Sequence, residues 1–121
     1  MGANGAEAKY DDCLSASWLA QRLAIDPGRI DSMRRAGELI AVRKPGSTEW
    51  LYPGWQLSGR MPRTAVARIS AAARDAGLDD TRLYEVMTAP LGLGGHKRLA
   101  DLLREGRDQE VVDAVRSVRL S

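Results

Sequence analysis

Between residues 14 and 56 the helical period of the apolar positions is broken once and then gives way to a period near two, and each event marks a new element. Leu19 and Leu23 stand four residues apart beside Trp18 and Arg22, the spacing of one face of a short helix. Ser15 precedes that run, where its hydroxyl can accept from a free backbone N–H at the helix start. The run breaks at Ala24-Ile25-Asp26-Pro27. Asp26 suits an N-cap, and Pro27 suits the first helical position, where its missing N–H costs nothing. A second helix is predicted from Pro27 to about Ala36, closed by Gly37 as a residue able to take positive φ. So short a connection suits a helix-turn-helix.

After Gly37 the period drops toward two. Leu39-Ile40-Ala41-Val42-Arg43 reads as a strand, Lys44-Pro45-Gly46-Ser47-Thr48 as a turn, and Glu49-Trp50-Leu51-Tyr52 as a second strand stopped by Pro53-Gly54. A hairpin placed directly after the second helix has the order of a wing. Trp50 and Tyr52 read as packing residues. Arg43 and Lys44 fall at the tip, within reach of a phosphate or a minor groove.

At about 100° per residue the second helix has two unlike sides. Ile30, Met33 and Gly37 share the side that should pack on the first helix. Gly28, Asp31 and Arg35 lie opposite, Ser32 flanks them, and Arg29 and Arg34 are lateral. Arginine and serine on an exposed face fit the major groove, where a bidentate arginine–guanine contact gives ~1–3 kcal/mol of discrimination. Ser32 and Arg35 are therefore the candidate base readers, and Arg29, Arg34, Arg43 and Lys44 the candidate phosphate contacts. Four to six such contacts imply a log–log salt slope of roughly −4 to −5. Asp31 is the discordant residue on this face: it lowers affinity or accepts from a cytosine amino group. A solvated charged face without a ligand is the competing reading, and the hairpin weighs against it.

From Leu57 to Met61 the chain is polar and reads as a link. Everything beyond is helical in period. Pro62 can open a helix to about Ala76 that carries Val66, Ile69, Ala73 and Ala76 and ends at Gly77. Asp79 or Asp80 caps a second, carrying Leu83, Val86 and Met87. Residues 88–95 form a glycine-rich loop. Leu99, Leu102 and Leu103 mark a helix over His96–Arg104, and Val111, Val112, Val115 and Val118 another over Asp108–Val118, with Gly106 between them. A unit of this size has little core of its own. Its valine stripe is expected to pack on the first half or on a second copy. A homodimer through the C-terminal helices is preferred, because a two-fold pair reads two half-sites ~34 Å apart.

Two stretches resemble known families. The first half is similar to the excisionase and MerR-like winged helix-turn-helix family. The likeness rests on Trp18-Leu19-Ala20-Gln21-Arg22-Leu23, the turn Ile25-Asp26, the run Arg35-Ala36-Gly37-Glu38-Leu39-Ile40-Ala41-Val42-Arg43, and a wing ending in Tyr52-Pro53. That resemblance implies the fold and DNA binding; Asp31 and a longer wing turn depart from it. The second half resembles the C-terminal, toxin-binding domain of Xre/MbcA/ParS-type antitoxins. There the residues are Leu83-Tyr84-Glu85-Val86-Met87-Thr88-Ala89-Pro90, Leu93-Gly94-Gly95, Leu99 to Gly106, and the valine-rich last helix. Val86-Met87 stands where that family has a tryptophan-leucine pair, Ala89-Pro90 where it has Asn-Pro, and Lys97-Arg98 near its later proline. This second resemblance implies a helical dimerisation or partner-binding module.

Composition narrows the function classes. A chain of 121 residues holds two small units sharing a core, but no large enzyme cleft. Net charge is only +2, yet residues 14–61 carry seven basic and four acidic side chains, so +3 lies there and −1 on the rest. Arginine outnumbers lysine fifteen to three, which suits bidentate contacts to phosphate and guanine, although a GC-rich genome yields the same bias. Cys13 is the single cysteine; it makes no internal disulfide, indicates a reducing compartment and reads as a small buried residue. There is no apolar run of membrane-spanning length and no signal-peptide pattern. The Gly92-Leu93-Gly94-Gly95 loop lacks the strand and the Gly-Lys-Ser/Thr end of a phosphate loop. His96 has no second ligand at metal-binding spacing, and Asp79-Asp80 reads as a capping pair. No enzyme, cofactor, metal or membrane partner is expected.

The sequence thus predicts a mainly α protein with a small β-hairpin wing, a winged helix-turn-helix followed by a C-terminal helical bundle. Residues 1–13 are expected as a flexible tail, 14–61 as the DNA-binding domain, and 62–121 as the dimerisation or partner-binding domain. The expected function is sequence-specific binding of duplex DNA by a bacterial transcriptional regulator, cytoplasmic and nucleoid-associated when bound. Two alternatives stay open. One is an antitoxin that holds a toxin through its C-terminal helices and autoregulates through its N-terminal domain. The other is an interaction adaptor without DNA binding.

Overall fold

Ser15 opens the first helix: its Oγ accepts from the Trp18 N–H at 3.2 Å, and α1 (Ala16–Leu23) follows. The computed structural model describes residues 10–44, 46–59, 61–92 and 95–118. Expectations for residues 1–9, Pro45, Arg60, Leu93, Gly94 and 119–121 lie outside the described residues. α1 buries Leu19, Ala20 and Leu23 and ends at Ala24, whose φ of 60° is left-handed and whose N–H donates to the Ala20 and Gln21 carbonyls. α2 (Pro27–Arg35) starts on the proline, and Asp26 makes no side-chain capping bond. Proline's fixed φ, rather than the carboxylate, sets this start. Gly37, at φ 78°, turns the chain out of α2, and the Glu38 N–H closes the end on the Met33 carbonyl at 2.8 Å.

Three short strands form an antiparallel sheet in the order β1-β3-β2, with β1 at Cys13–Ser15, β2 at Val42–Arg43 and β3 at Trp50–Pro53. The expected hairpin is β2–β3, with Arg43 opposite Trp50. Its first strand is shorter than 39–43, because Leu39–Ala41 approach it without a ladder partner. β1 overturns the expectation of a loose tail through residue 13. Tyr10 is buried with its ring centroid 5.3 Å from that of Tyr84, and Leu14 pairs with Tyr52. Small polar composition concealed a segment whose partners lie as far away as Tyr84.

The polar link is likewise a correction. A 3-10 turn (Gly54–Gln56) leads into a second hairpin, β4 (Leu57–Ser58) with β5 (Met61–Pro62), and Leu57 is buried. Gly59 at φ 66° allows the tight reversal. Helices α3 (Ala65–Asp75), α4 (Asp80–Thr88), α5 (Leu99–Arg104) and α6 (Asp108–Arg116) complete the fold. α3 begins after Pro62 because that residue belongs to β5. α5 begins at Leu99, where the Asp101 carboxylate accepts from the Arg98 N–H at 2.9 Å. Asp79 caps α4 by accepting from the Arg82 N–H at 2.8 Å.

Leu39 and Ala41 point into one apolar cluster with Leu19, Leu23, Ile30, Tyr52 and Leu57. Ile40 and Val42 point into the other, with Tyr10, Trp55 and the apolar sides of α3–α6. Period-two alternation along one extended segment therefore feeds both clusters. α6 lies against α3, and Val111, Val112 and Val115 are buried within this chain. The fold is mainly α with a small antiparallel sheet, and no helix among the described residues is long and apolar enough to cross a membrane.

Candidate nucleic-acid interface

α2 presents one side to the protein and one to solvent. Ile30 is fully buried and Met33 partly so, packed in the smaller cluster. Gly28, Arg29, Ser32 and Arg35 are exposed. The Ser32 hydroxyl donates back to the Gly28 carbonyl at 3.3 Å, which leaves its oxygen lone pairs outward. The Arg35 side chain is 68% exposed, and its partner is Asp31. On the neighbouring hairpin, Arg43 and Lys44 are both exposed. The structure thus brings Arg29, Ser32, Arg35, Arg43 and Lys44 to the surface on α2 and the adjoining hairpin.

Arg34 is the exception. Expected at a lateral surface position, it is turned inward, its side chain 19% exposed. Its guanidinium lies 4.2 Å from the centroid of the Trp50 ring, and that of Arg43 lies 4.8 Å from the same centroid. The helical wheel placed Arg34 correctly but could not include the hairpin that folds back beside it. Burial works against its charge; the hydrogen bond and charge of Asp31, helped by Tyr52, outweigh that and hold it protonated. Its Nε is buried without an acceptor, so Asp31 and the Trp50 ring carry the interaction. Trp50 is accordingly more than packing: it ties α2 to the hairpin. Arg43 facing Trp50 across a predicted hairpin was the legible signal for half of this arrangement.

Asp31 holds both arginines, one oxygen accepting from Arg34 and the other from Arg35. Those hydrogen bonds, that to Arg34 first, keep its carboxyl below the usual 3.8. The start of α4 borders the hairpin: Asp79, Asp80 and Thr81 line a cleft of about 260 Å³ with Arg43 and Trp50. A second cleft, about 250 Å³, separates the end of α2 from α3 and α4, with Arg34, Arg35 and Arg74 among its walls and Asp79 and Asp80 facing them.

Elsewhere the candidate surfaces are sparse. His96 and the Asp79–Asp80 pair are exposed, and among the described residues no three His, Cys, Asp or Glu side chains group as a metal would need. α6 offers solvent Gln109, Glu110, Asp113 and Arg116, its valines being internal. Among the described residues the exposed large apolar side chains are Trp18, Met61 and Leu91, none of them on the helices expected to carry a dimer.

No family model and no curated protein matches the chain. Among solved structures, the NMR structure of Rv2175c is similar, with a TM-score of 0.75 over 87% of this chain and 79% of that one, at 19% identity. At that identity the likeness establishes a shared fold.

Proposed function

We propose that this protein binds duplex DNA through a winged helix-turn-helix formed by α1, α2 and the β2–β3 hairpin, and acts as a bacterial transcriptional regulator. The observation that carries the reading is the division of α2. Ile30 is sealed in the core while Arg29, Ser32 and Arg35 stand exposed, beside a hairpin that exposes Arg43 and Lys44. Arginine on an exposed helix face suits guanine edges, and cations on a flanking hairpin suit phosphates. Ser32 and Arg35 are the base readers in this reading. Arg29, Arg43 and Lys44 meet phosphates, and Arg34 holds the hairpin in place.

An antitoxin acting through its C-terminal helices is less well supported, because Leu99, Leu102, Leu103 and the valines of α6 are consumed by the chain's own core. The same burial moves any two-fold pairing of copies away from the valine stripe. Fluorescence anisotropy of a labelled random duplex tests the reading. Wild type should bind with strong salt dependence, and Arg29→Ala/Arg35→Ala should bind at least tenfold more weakly at equal salt. Absence of binding at low salt would overturn it.

A further inference from the structure

Asp31 is the one acidic residue on α2, and it stands where a DNA-binding helix gains least from a negative charge. Both its oxygens are engaged, by Arg34 and by Arg35. Those two partners are not equivalent. Arg34 is mostly buried and lies over Trp50, so displacing it would break that contact as well as the ion pair. Arg35 is open to solvent and has no other partner among the described residues. A phosphate that drew Arg35 away would leave the Asp31 carboxylate facing the DNA's own charge with Arg34 alone to offset it. Docking on phosphates only is therefore penalised.

A base edge can lift that penalty if it offers a hydrogen-bond donor. In the major groove the amino groups of cytosine and adenine are such donors. Adenine sets its N7 acceptor beside the amino group, which repels a carboxylate, whereas cytosine presents its N4 amino group without that neighbour. Asp31 and Arg35 stand one helical turn apart, about 6 Å along the axis. Base pairs rise ~3.4 Å each, so the two side chains meet bases within about two steps of each other.

Resting on the DNA-binding reading, we infer that Asp31 and Arg35 form a reading pair. Asp31 accepts from the N4 amino group of a cytosine while Arg35 engages a guanine close by. Their mutual ion pair in the free protein restrains binding to DNA that offers phosphates alone. Asp31 thereby lowers affinity in general and sets specificity for a G·C-containing site.

Site selection from a randomised duplex library, run with wild type, Asp31→Ala and Asp31→Asn, tests this. Wild type should enrich a site with an invariant C·G pair. Asp31→Ala should lose that pair while retaining the rest of the site, and Asp31→Asn should shift it toward A·T, since asparagine pairs with adenine N6 and N7. On unselected duplex both variants should bind about tenfold more tightly than wild type, with a steeper salt slope. One selected site with one affinity for all three proteins would overturn the inference and leave the DNA-binding reading intact. A wild type that binds no duplex at low salt would overturn both. Circular dichroism melts of the two variants keep a folding defect apart from either result: losing the ion pair to Arg34 should lower both melting temperatures modestly, and a single cooperative transition well above the binding temperature shows that both variants are folded.

Discussion

The side chain of Gln56 binds both backbone groups of Ile40. The Ile40 N–H donates to Oε1 at 2.6 Å, and Nε2 donates to the Ile40 carbonyl at 2.8 Å and to the Pro53 carbonyl at 3.0 Å. Gln56 is fully buried. Its amide acts as a one-residue strand partner where the chain passes between the two apolar clusters and has no ladder of its own. Gln56→Ala would strand three buried backbone groups, at roughly 1–3 kcal/mol each before relaxation. We expect a loss of about 3 kcal/mol, read in urea unfolding as a lower midpoint with an unchanged slope.

Asp12 joins the start of the chain to its second half. It accepts from Trp55 Nε1 at 2.9 Å and from the Tyr84 hydroxyl at 2.7 Å. Asp12→Ala should cost about 3 kcal/mol, since hydrogen bonds to a charged group contribute about 1.5–3 kcal/mol each. The adjacent Cys13 thiol reports on the same region, since burial, then the charge of Asp12, push it from 9.0 up to about 12. At pH 8 its thiolate population is then far below that of a free thiol. Iodoacetamide should label Cys13 slowly in the native protein and quickly in urea, and Asp12→Ala should accelerate native labelling. Rapid labelling of the wild type would contradict this environment.

Ala24 holds a left-handed backbone, φ 60°, at the end of α1, a conformation that costs an L-residue about 1–2 kcal/mol. Glycine removes that strain but adds unfolded-state entropy. Ala24→Gly should therefore stabilise by about 0.5–1 kcal/mol, seen as a higher melting temperature with DNA binding retained.

What could be read in the sequence was local. Ser15, Pro27, Gly37 and Asp79 act through their own or adjacent backbone, and each marks its element end in the structure as in the sequence. The failures involve distant partners. Tyr10 and Asp12 looked like tail residues because Tyr84 lies far along the chain. Residues 57–61 looked polar because the period-two signal of a two-residue strand is too short to detect. Arg34 looked like a surface cation because a helical wheel contains no hairpin.

Asp31 should titrate abnormally. Its carboxyl is held below 3.8 by Arg34 and then Arg35, so its folded value is depressed. The associated stabilisation is fully present above pH 3.8 and is lost as the pH falls through the folded value. A carboxyl-detected NMR titration should give a midpoint below 3.8 in the wild type and closer to 3.8 in Arg35→Ala. Identical midpoints would mean that the Arg35 ion pair is not formed in solution.

Arg34 and Arg29 should separate structure from contact. Arg29 is exposed; its backbone N–H donates to the Asp26 carbonyl at 2.9 Å, and its side chain makes no hydrogen bond or ion pair among the described residues. Arg34 is stacked on Trp50 and paired with Asp31. Arg29→Ala should leave stability within about 0.5 kcal/mol and flatten the salt slope of DNA binding by about 0.9, the loss of one phosphate contact. Arg34→Ala should do the reverse. It removes a partly desolvated cation–π contact of about 1–2 kcal/mol and frees the hairpin from α2, so stability falls and affinity weakens while the slope stays near its wild-type value. A flattened slope with unchanged stability in Arg34→Ala would mean that Arg34 swings out to meet a phosphate when DNA binds. The stack on Trp50 would then belong to the free protein alone.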